Sequence, residues 1–249
     1  MSFYNYRRPE TIAEKKAKAQ KGLQKLVKEN PEAEPVIIEG RTLARTWWGK
    51  AWNTNLESYA DYSNRIGRGK SYVKSNTVLD LKITKGRVDA LVQGSRSKPY
   101  KVEISIDTLS DDKWAQITSL CNHQIDSLEQ LVEGKFPKAL EVLFQDRKYG
   151  LFPSPKEIHF DCSCPDWASM CKHVAAVLYG VGARLDQNPM LFFELRHLDG
   201  RELVKKSMEA KLESMLKNAG KKSEREIQVE ELEGLFGLDV GNLTRSTTK

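Results

Sequence analysis

No stretch of this 249-residue sequence is apolar for long enough to cross a bilayer. Its first ten residues, MSFYNYRRPE, lack the apolar run of a secretory signal. The expectation is a soluble protein that stays in the cytoplasm and has no membrane partner. Catalytic signatures are missing as well: there is no Gly-Lys-Ser/Thr phosphate loop, no His-Glu-x-x-His and no Gly-x-Ser-x-Gly. An enzyme is therefore not expected. Cysteine and histidine are scarce, at four each. In a reducing compartment so few thiols do not form a disulfide framework, and where they cluster they are better read as metal ligands.

They do cluster. Three of the four cysteines and one histidine fall within twelve residues, CSCPDWASMCKH, as Cys162, Cys164, Cys171 and His173. Three thiolates and an imidazole make a closed tetrahedral set for one zinc ion. An iron–sulfur cluster is a weaker alternative, because histidine ligation of a single cluster is less common. The run from Lys156 to Asp161 reads as a strand entering the cluster, on which residues two apart share a face. Cys162 and Cys164 then point the same way as Ile158 and Phe160, and His159 points away. Pro165-Asp166 supplies a turn. Cys171 and His173 converge only if Cys171 precedes a helix and His173 lies in its first turn, with Val174-Ala175-Ala176-Val177-Leu178-Tyr179 continuing it. All four metal positions are filled, so the zinc is expected to be structural.

The charge is uneven. The net charge is +6. Residues 1–29 carry eight Lys/Arg against three Glu, residues 41–101 thirteen against four acids, and residues 102–146 three Lys against nine acids. A basic half suits a polyanion such as nucleic acid. Arg65, Arg68, Lys70, Lys74, Arg96 and Lys98 are the candidate phosphate contacts, expected on loops and at the entry of a sheet.

The rest of the chain supplies a scaffold. Thr11-Ile12-Ala13-Glu14 has the form of a capping box opening a basic amphipathic helix that ends at Asn30-Pro31. Trp48, Trp52, Leu56 and Tyr59 share one helical face and are expected in the core. Residues 78–83, 87–92 and 100–106 alternate as three strands of an antiparallel meander. Trp114, Ile117, Leu120 and Cys121 are read as one face of an acidic helix, and Leu140, Leu143 and Phe144 as a second after Pro137. Cys121-Asn122-His123 is a poor chelate, because residues two apart on a helix diverge. Val204, Met208, Leu212, Met215 and Leu216 mark a further amphipathic helix. VEELEGLFGLDV near the C-terminus is a candidate docking segment.

The fold class is α+β: an antiparallel meander with packed helices, then a strand-turn-helix zinc finger and a helical C-terminal extension. The expected divisions are a basic arm at 1–35, an α+β domain at 36–146, the finger at 147–200 and the extension at 201–249.

CSCPDWASMCKHVAAVLY resembles the SWIM-type zinc finger, whose pattern is Cys-x-Cys followed by Cys-x-His. TWWGKAW, RIGRGKSYVKSNTV, GSRSKPYKV and DQNPMLFFELR are similar to bacterial SWIM finger proteins, over about residues 36–200. The resemblance implies Cys162, Cys164, Cys171 and His173 as ligands, DNA binding, protein binding or both, and a helicase-like remodelling ATPase as a possible partner. It points to no particular nucleotide-contacting residue. Two functions stay open: a DNA-binding accessory factor, and an adaptor for such an ATPase without direct nucleic-acid contact.

Overall fold

The computed structural model describes residues 10–58, 63–122, 124–168 and 170–218. Two compact units divide the chain, Met1–Glu209 and Ala210–Lys249. The first is built on a four-stranded antiparallel sheet in the order β1-β2-β3-β4, with β1 Val78–Thr84, β2 Arg87–Val92, β3 Tyr100–Ile106 and β4 Ile158–Cys162. The three expected strands are present within a residue of their predicted ends. Alternation drives them. In β3, Tyr100, Val102, Ile104 and Ile106 are buried, whereas Lys101 and Ser105 are exposed. The opposite face is solvated and laced with ion pairs of both signs, Arg87 with Asp89 and Glu103, and Lys101 with Glu103.

β4 comes from the segment expected to form a separate finger. It pairs instead with β3, Ile104 against Phe160 and Val102 against Cys162, so it completes the same sheet. The helix that follows, α7 Lys172–Gln187, is buried from His173 to Gly182 without a break. A helix apolar all round has to be enclosed on every side. α7 lies between the sheet and the helices α2 Trp47–Glu57 and α3 Ser63–Lys74. The indoles of Trp48 and Trp52 are fully buried, and their N–H groups donate to the carbonyls of Leu131 and Leu178, each at 2.8 Å. The core reading of this face holds; Tyr59 lies outside the described residues.

The N-terminal helix α1 Ile12–Glu29 starts with both halves of the capping box at Thr11 and Glu14. It packs on β1, and a Cβ added to Gly22 would meet the side chains of Gln93 and Leu79. The segment that follows it, through Glu34 and Val36, lies along the outer edge of β1. There the Val36 N–H donates to the Val78 carbonyl at 3.0 Å and the Leu81 N–H to the Glu34 carbonyl at 2.9 Å. This covers one edge of the sheet.

Three short helices fill the acidic stretch, α4 Asp111–Leu120, α5 Leu128–Glu133 and α6 Lys138–Gln145. The sequence pattern showed only the first and the last. Trp114, Ile117 and Cys121 are buried as expected, and burial pushes the Cys121 thiol up to about 12. Leu120 is corrected: it is exposed, because six residues from Trp114 turn it about 120° around the helix, off the buried face. Leu140 and Phe144 are buried. His123 lies outside the described residues, as does VEELEGLFGLDV.

α8 Met190–Leu195 and α9 Gly200–Asn218 end the described chain. On α9 only the start of the predicted apolar face is covered. Val204 is buried, and Met208, Leu212, Met215 and Leu216 are exposed. Among the described residues no helix is long and apolar enough to cross a membrane.

Arg196 ties the sheet ends together. It is wholly buried, donates to the Asp107 carbonyl after β3 at 2.8 Å, and pairs with Glu157 just before β4 at 2.8 Å. Burial pulls the Glu157 carboxyl up, but hydrogen bonds from Arg196, the Ser154 N–H and the Ser154 hydroxyl outweigh it and hold it below the ordinary carboxylate value. Removing one partner of a buried pair strands the other, so Arg196→Met should cost about 3 kcal/mol of unfolding free energy. Glu157 contributes stability above the ordinary carboxylate range and loses it as pH falls through its lowered value. Denaturation curves taken from neutral pH downward should therefore show a shallower acid loss in Arg196→Met than in the parent. Equal stability at neutral pH would show that the pair contributes nothing net.

Candidate metal centre

Two different pieces of backbone geometry deliver the four donors. On β4 the buried side carries Ile158, and Cys162 follows on the same side by the period of two, while His159 faces outward and hydrogen-bonds Asp107 at 3.0 Å. Pairing with β3 continues one residue past β4: the Ser163 N–H donates to the Lys101 carbonyl at 3.0 Å, and the Lys101 N–H donates to the Ser163 hydroxyl at 2.9 Å. Cys164 therefore returns to the side of Cys162. Cys171 is the extended N-cap of α7, at φ −79° and ψ 172°, and His173 sits in the first turn. This non-helical cap is what lets a Cys-x-His pair converge. Among the described residues these four form the one such group, with all donor atoms within 4.8 Å of one another.

The dimensions and chemistry fit a metal ion. The His173 Nδ1 lies 3.7 Å from the Cys171 Sγ and 3.9 Å from the Cys162 Sγ. A tetrahedral ion with sulfur at about 2.3 Å and nitrogen at about 2.0 Å needs donor separations of about 3.5–3.8 Å. Crowding sets the thiols against one another. Hydrogen bonding to Cys171, then burial, pushes the Cys162 thiol up. The same bond from Cys162, helped by His173, pulls Cys171 well below the usual thiol value. Burial raises Cys164. A bound dication would allow all three thiols to ionise.

Aromatic rings hold the imidazole in place. His173 is buried, with Tyr100 at 4.5 Å and Tyr72 edge-on at 5.4 Å between ring centroids. Its Nε2 is buried, has no hydrogen-bond partner among the described residues, and faces Gly94. α3 braces the other side. A Cβ on Gly69 would come within 2.5 Å of the Ala175 Cβ and 2.9 Å of the Ala175 carbonyl carbon, so glycine alone lets α3 lie this close to α7. From α3, Arg65 reaches the loop between the ligand pairs and holds Asp166 at 2.9 and 3.4 Å. Asp166 also accepts from the Ala168 N–H at 3.3 Å. The neighbouring Trp167 is 94% exposed.

The six candidate phosphate contacts do not form one set. Arg65, Arg68, Lys70 and Lys74 stand on the helix α3 and not on a loop or strand entry. The expected loop and sheet entry are corrected there: close packing through Gly69 against α7 accompanies a helix. Arg65 is committed to Asp166, and Lys70 to Glu57 at 2.8 Å. Arg68, Lys74, Arg96 and Lys98 are exposed, and none of them makes an ion pair among the described residues. Three cations not in that set lie close by. Lys15 and Lys172 sit 5.1 and 5.8 Å from the centre of the Tyr72 ring, and Lys18 donates to the Ser95 carbonyl. Lys15 also donates to the Ser71 hydroxyl at 3.3 Å. Helix α1 thus spans α3 and the loop that carries Arg96 and Lys98. The helical pattern flagged these lysines as basic but could not place them.

A side chain at position 94 would press on the imidazole: a Cβ there stands 2.9 Å from the His173 Nε2 and closer still to Tyr100. Gly94→Ala should lower metal affinity by about tenfold to a hundredfold, the usual effect of disturbing the groups around a ligand histidine. Competition against a colorimetric chelator measures this, and an unchanged curve would show that Gly94 does not constrain the ligand.

No protein-family profile and no solved structure matches the chain. The chain is similar to Uncharacterized protein Rv2102 of Mycobacterium tuberculosis, at 32% identity over 183 residues. That match takes in 70% of this chain and 66% of the relative, so the chain spans just under two thirds of that protein's length.

Proposed function

We propose that the chain is a non-enzymatic, SWIM-type zinc-finger protein that binds DNA through a basic face and acts as an accessory factor. One observation carries the reading: the closed Cys162–Cys164–Cys171–His173 set lies directly beneath that face. Tyr72 walls the imidazole, and Lys15 and Lys172 lie against the Tyr72 ring. Three sulfurs and a nitrogen favour zinc, and a filled tetrahedron leaves no position for a reacting water. The zinc would be structural. It would fix the start of α7 and with it the positions of Arg68, Lys74, Arg96, Lys98 and the α1 lysines. Contacts of this kind reach phosphates and give little sequence preference. The opposite face of the sheet, with its mixed ion pairs, offers no comparable field.

A second reading, an adaptor for a helicase-like ATPase, is favoured by the exposed Met208, Leu212, Met215 and Leu216 of α9. Apolar residues at this spacing fit a partner groove.

Metal analysis of the purified chain should find one zinc per molecule, lost in Cys171→Ser. DNA affinity should fall steeply with salt, and the triple variant R68E/R96E/K98E should flatten the log–log slope by about one for each phosphate contact removed. Affinity unchanged between low and moderate salt would rule out the phosphate-contact reading. Recovery of an ATPase by a chain that binds no DNA would favour the adaptor.

A further inference from the structure

We infer that Trp167 is a stacking platform for a base of single-stranded nucleic acid, presented by the loop between the two ligand pairs. The inference rests on the nucleic-acid reading above and names the form of the substrate. Trp48 and Trp52 are fully buried, Trp114 is nearly so, and Trp47 packs on Trp48 and Phe136. Trp167 alone among the described tryptophans stands in water, 94% exposed and without a ring partner. An indole is a large apolar surface to leave there.

The loop is built to hold this ring out. Cys164 and Cys171 anchor its ends at the ligand cluster, and Met170 is buried. Immediately before Trp167, Asp166 is gripped by Arg65 and accepts from the Ala168 N–H, which fixes the backbone on both sides of the ring. A ring on a braced loop loses little freedom on binding.

Charge favours a nucleic acid over a protein pocket. The only acid between Cys164 and Cys171 is Asp166, and Arg65 neutralises it. Lys172 follows the last cysteine, and α3, which supplies Arg65, also presents Arg68 and Lys74. Protein hot spots sit within clustered apolar surroundings. Among the described residues of this loop no other large apolar side chain is exposed. An isolated flat ring on a loop that α3 braces through Arg65 matches the way single strands are held, by bases stacked on exposed aromatic side chains. In a duplex the base faces are already stacked and offer nothing to an indole.

The test titrates labelled oligodeoxythymidine and a duplex of equal length with the full chain and with Trp167→Ala and Trp167→Phe, after metal content confirms that each variant is loaded alike. Trp167→Ala should weaken single-strand binding by about tenfold to a hundredfold, the loss that follows removal of one stacked base. Trp167→Phe should retain most of the affinity, and duplex binding should not change. The single strand should also quench indole emission in the parent and not in Trp167→Ala. Equal single-strand affinity in Trp167→Ala, or equal losses for both nucleic acids, would overturn the stacking role while leaving the phosphate reading in place. Failure of the parent to bind either nucleic acid would overturn both.

Discussion

The start of α7 is the point on which the rest of the structure depends. This helix is buried on all sides, so the sheet, α2 and α3 are packed around it and take their positions from it. No ordinary oxygen cap closes its N-terminus, where Cys171 stands with its sulfur beside the Val174 N–H. The tie is instead the convergence of Cys171 and His173 with Cys162 and Cys164 from β4. A strand end and a helix start are joined at one point, within 4.8 Å. The binding energy of an ion at that point becomes folding energy of the core and not only of a small appendage.

This explains why the basic surface and the metal cluster belong together. Tyr72 and Tyr100 enclose the imidazole from α3 and β3, and the outer side of Tyr72 is where Lys15 and Lys172 gather. Charges of one sign held close together repel, and the packed elements that carry them keep them there against that repulsion. On the far face of the sheet Arg87, Asp89, Lys101 and Glu103 neutralise one another. Among the described residues the far face is compensated, whereas Arg68, Lys74, Arg96 and Lys98 make no ion pair.

The meander and the four ligands were legible because each rests on a short local period: alternation of two for the strands, and the tight Cys-x-Cys and Cys-x-His spacings for the ligands. α3 was not legible. It has only Ile66, Tyr72 and Val73 as large apolar residues, and its glycines, which weaken any helix signal, serve the close approach to Ala175. α5, at six residues, is too short to show a period. The pairing of Arg65 with Asp166 lies 101 residues apart in sequence and could not be read from composition, so Arg65 looked as available as Arg68. The exposure of Trp167 ran against the general burial of indole, and only the polar residues around it hinted otherwise.

The two ligand pairs look alike as sequence, each with one intervening residue, yet they work by different geometry. The first relies on the strand period carried one residue further by the Ser163–Lys101 pairing, and the second on a non-helical cap followed by a helical turn. Of the residues between Cys164 and Cys171, Asp166 assists the first through its N–H, which lies against the Cys164 sulfur. Once both ends of that loop are fixed, its length matters little to stability, since closure entropy changes slowly with the number of residues. The loop is therefore the part of the centre least constrained by the metal. It nonetheless spends Asp166 on an ion pair with α3 and leaves Trp167 in solvent, choices that the ligand cluster does not require. A feature that folding does not demand and that a dedicated ion pair holds in place is best explained by what it meets outside the chain.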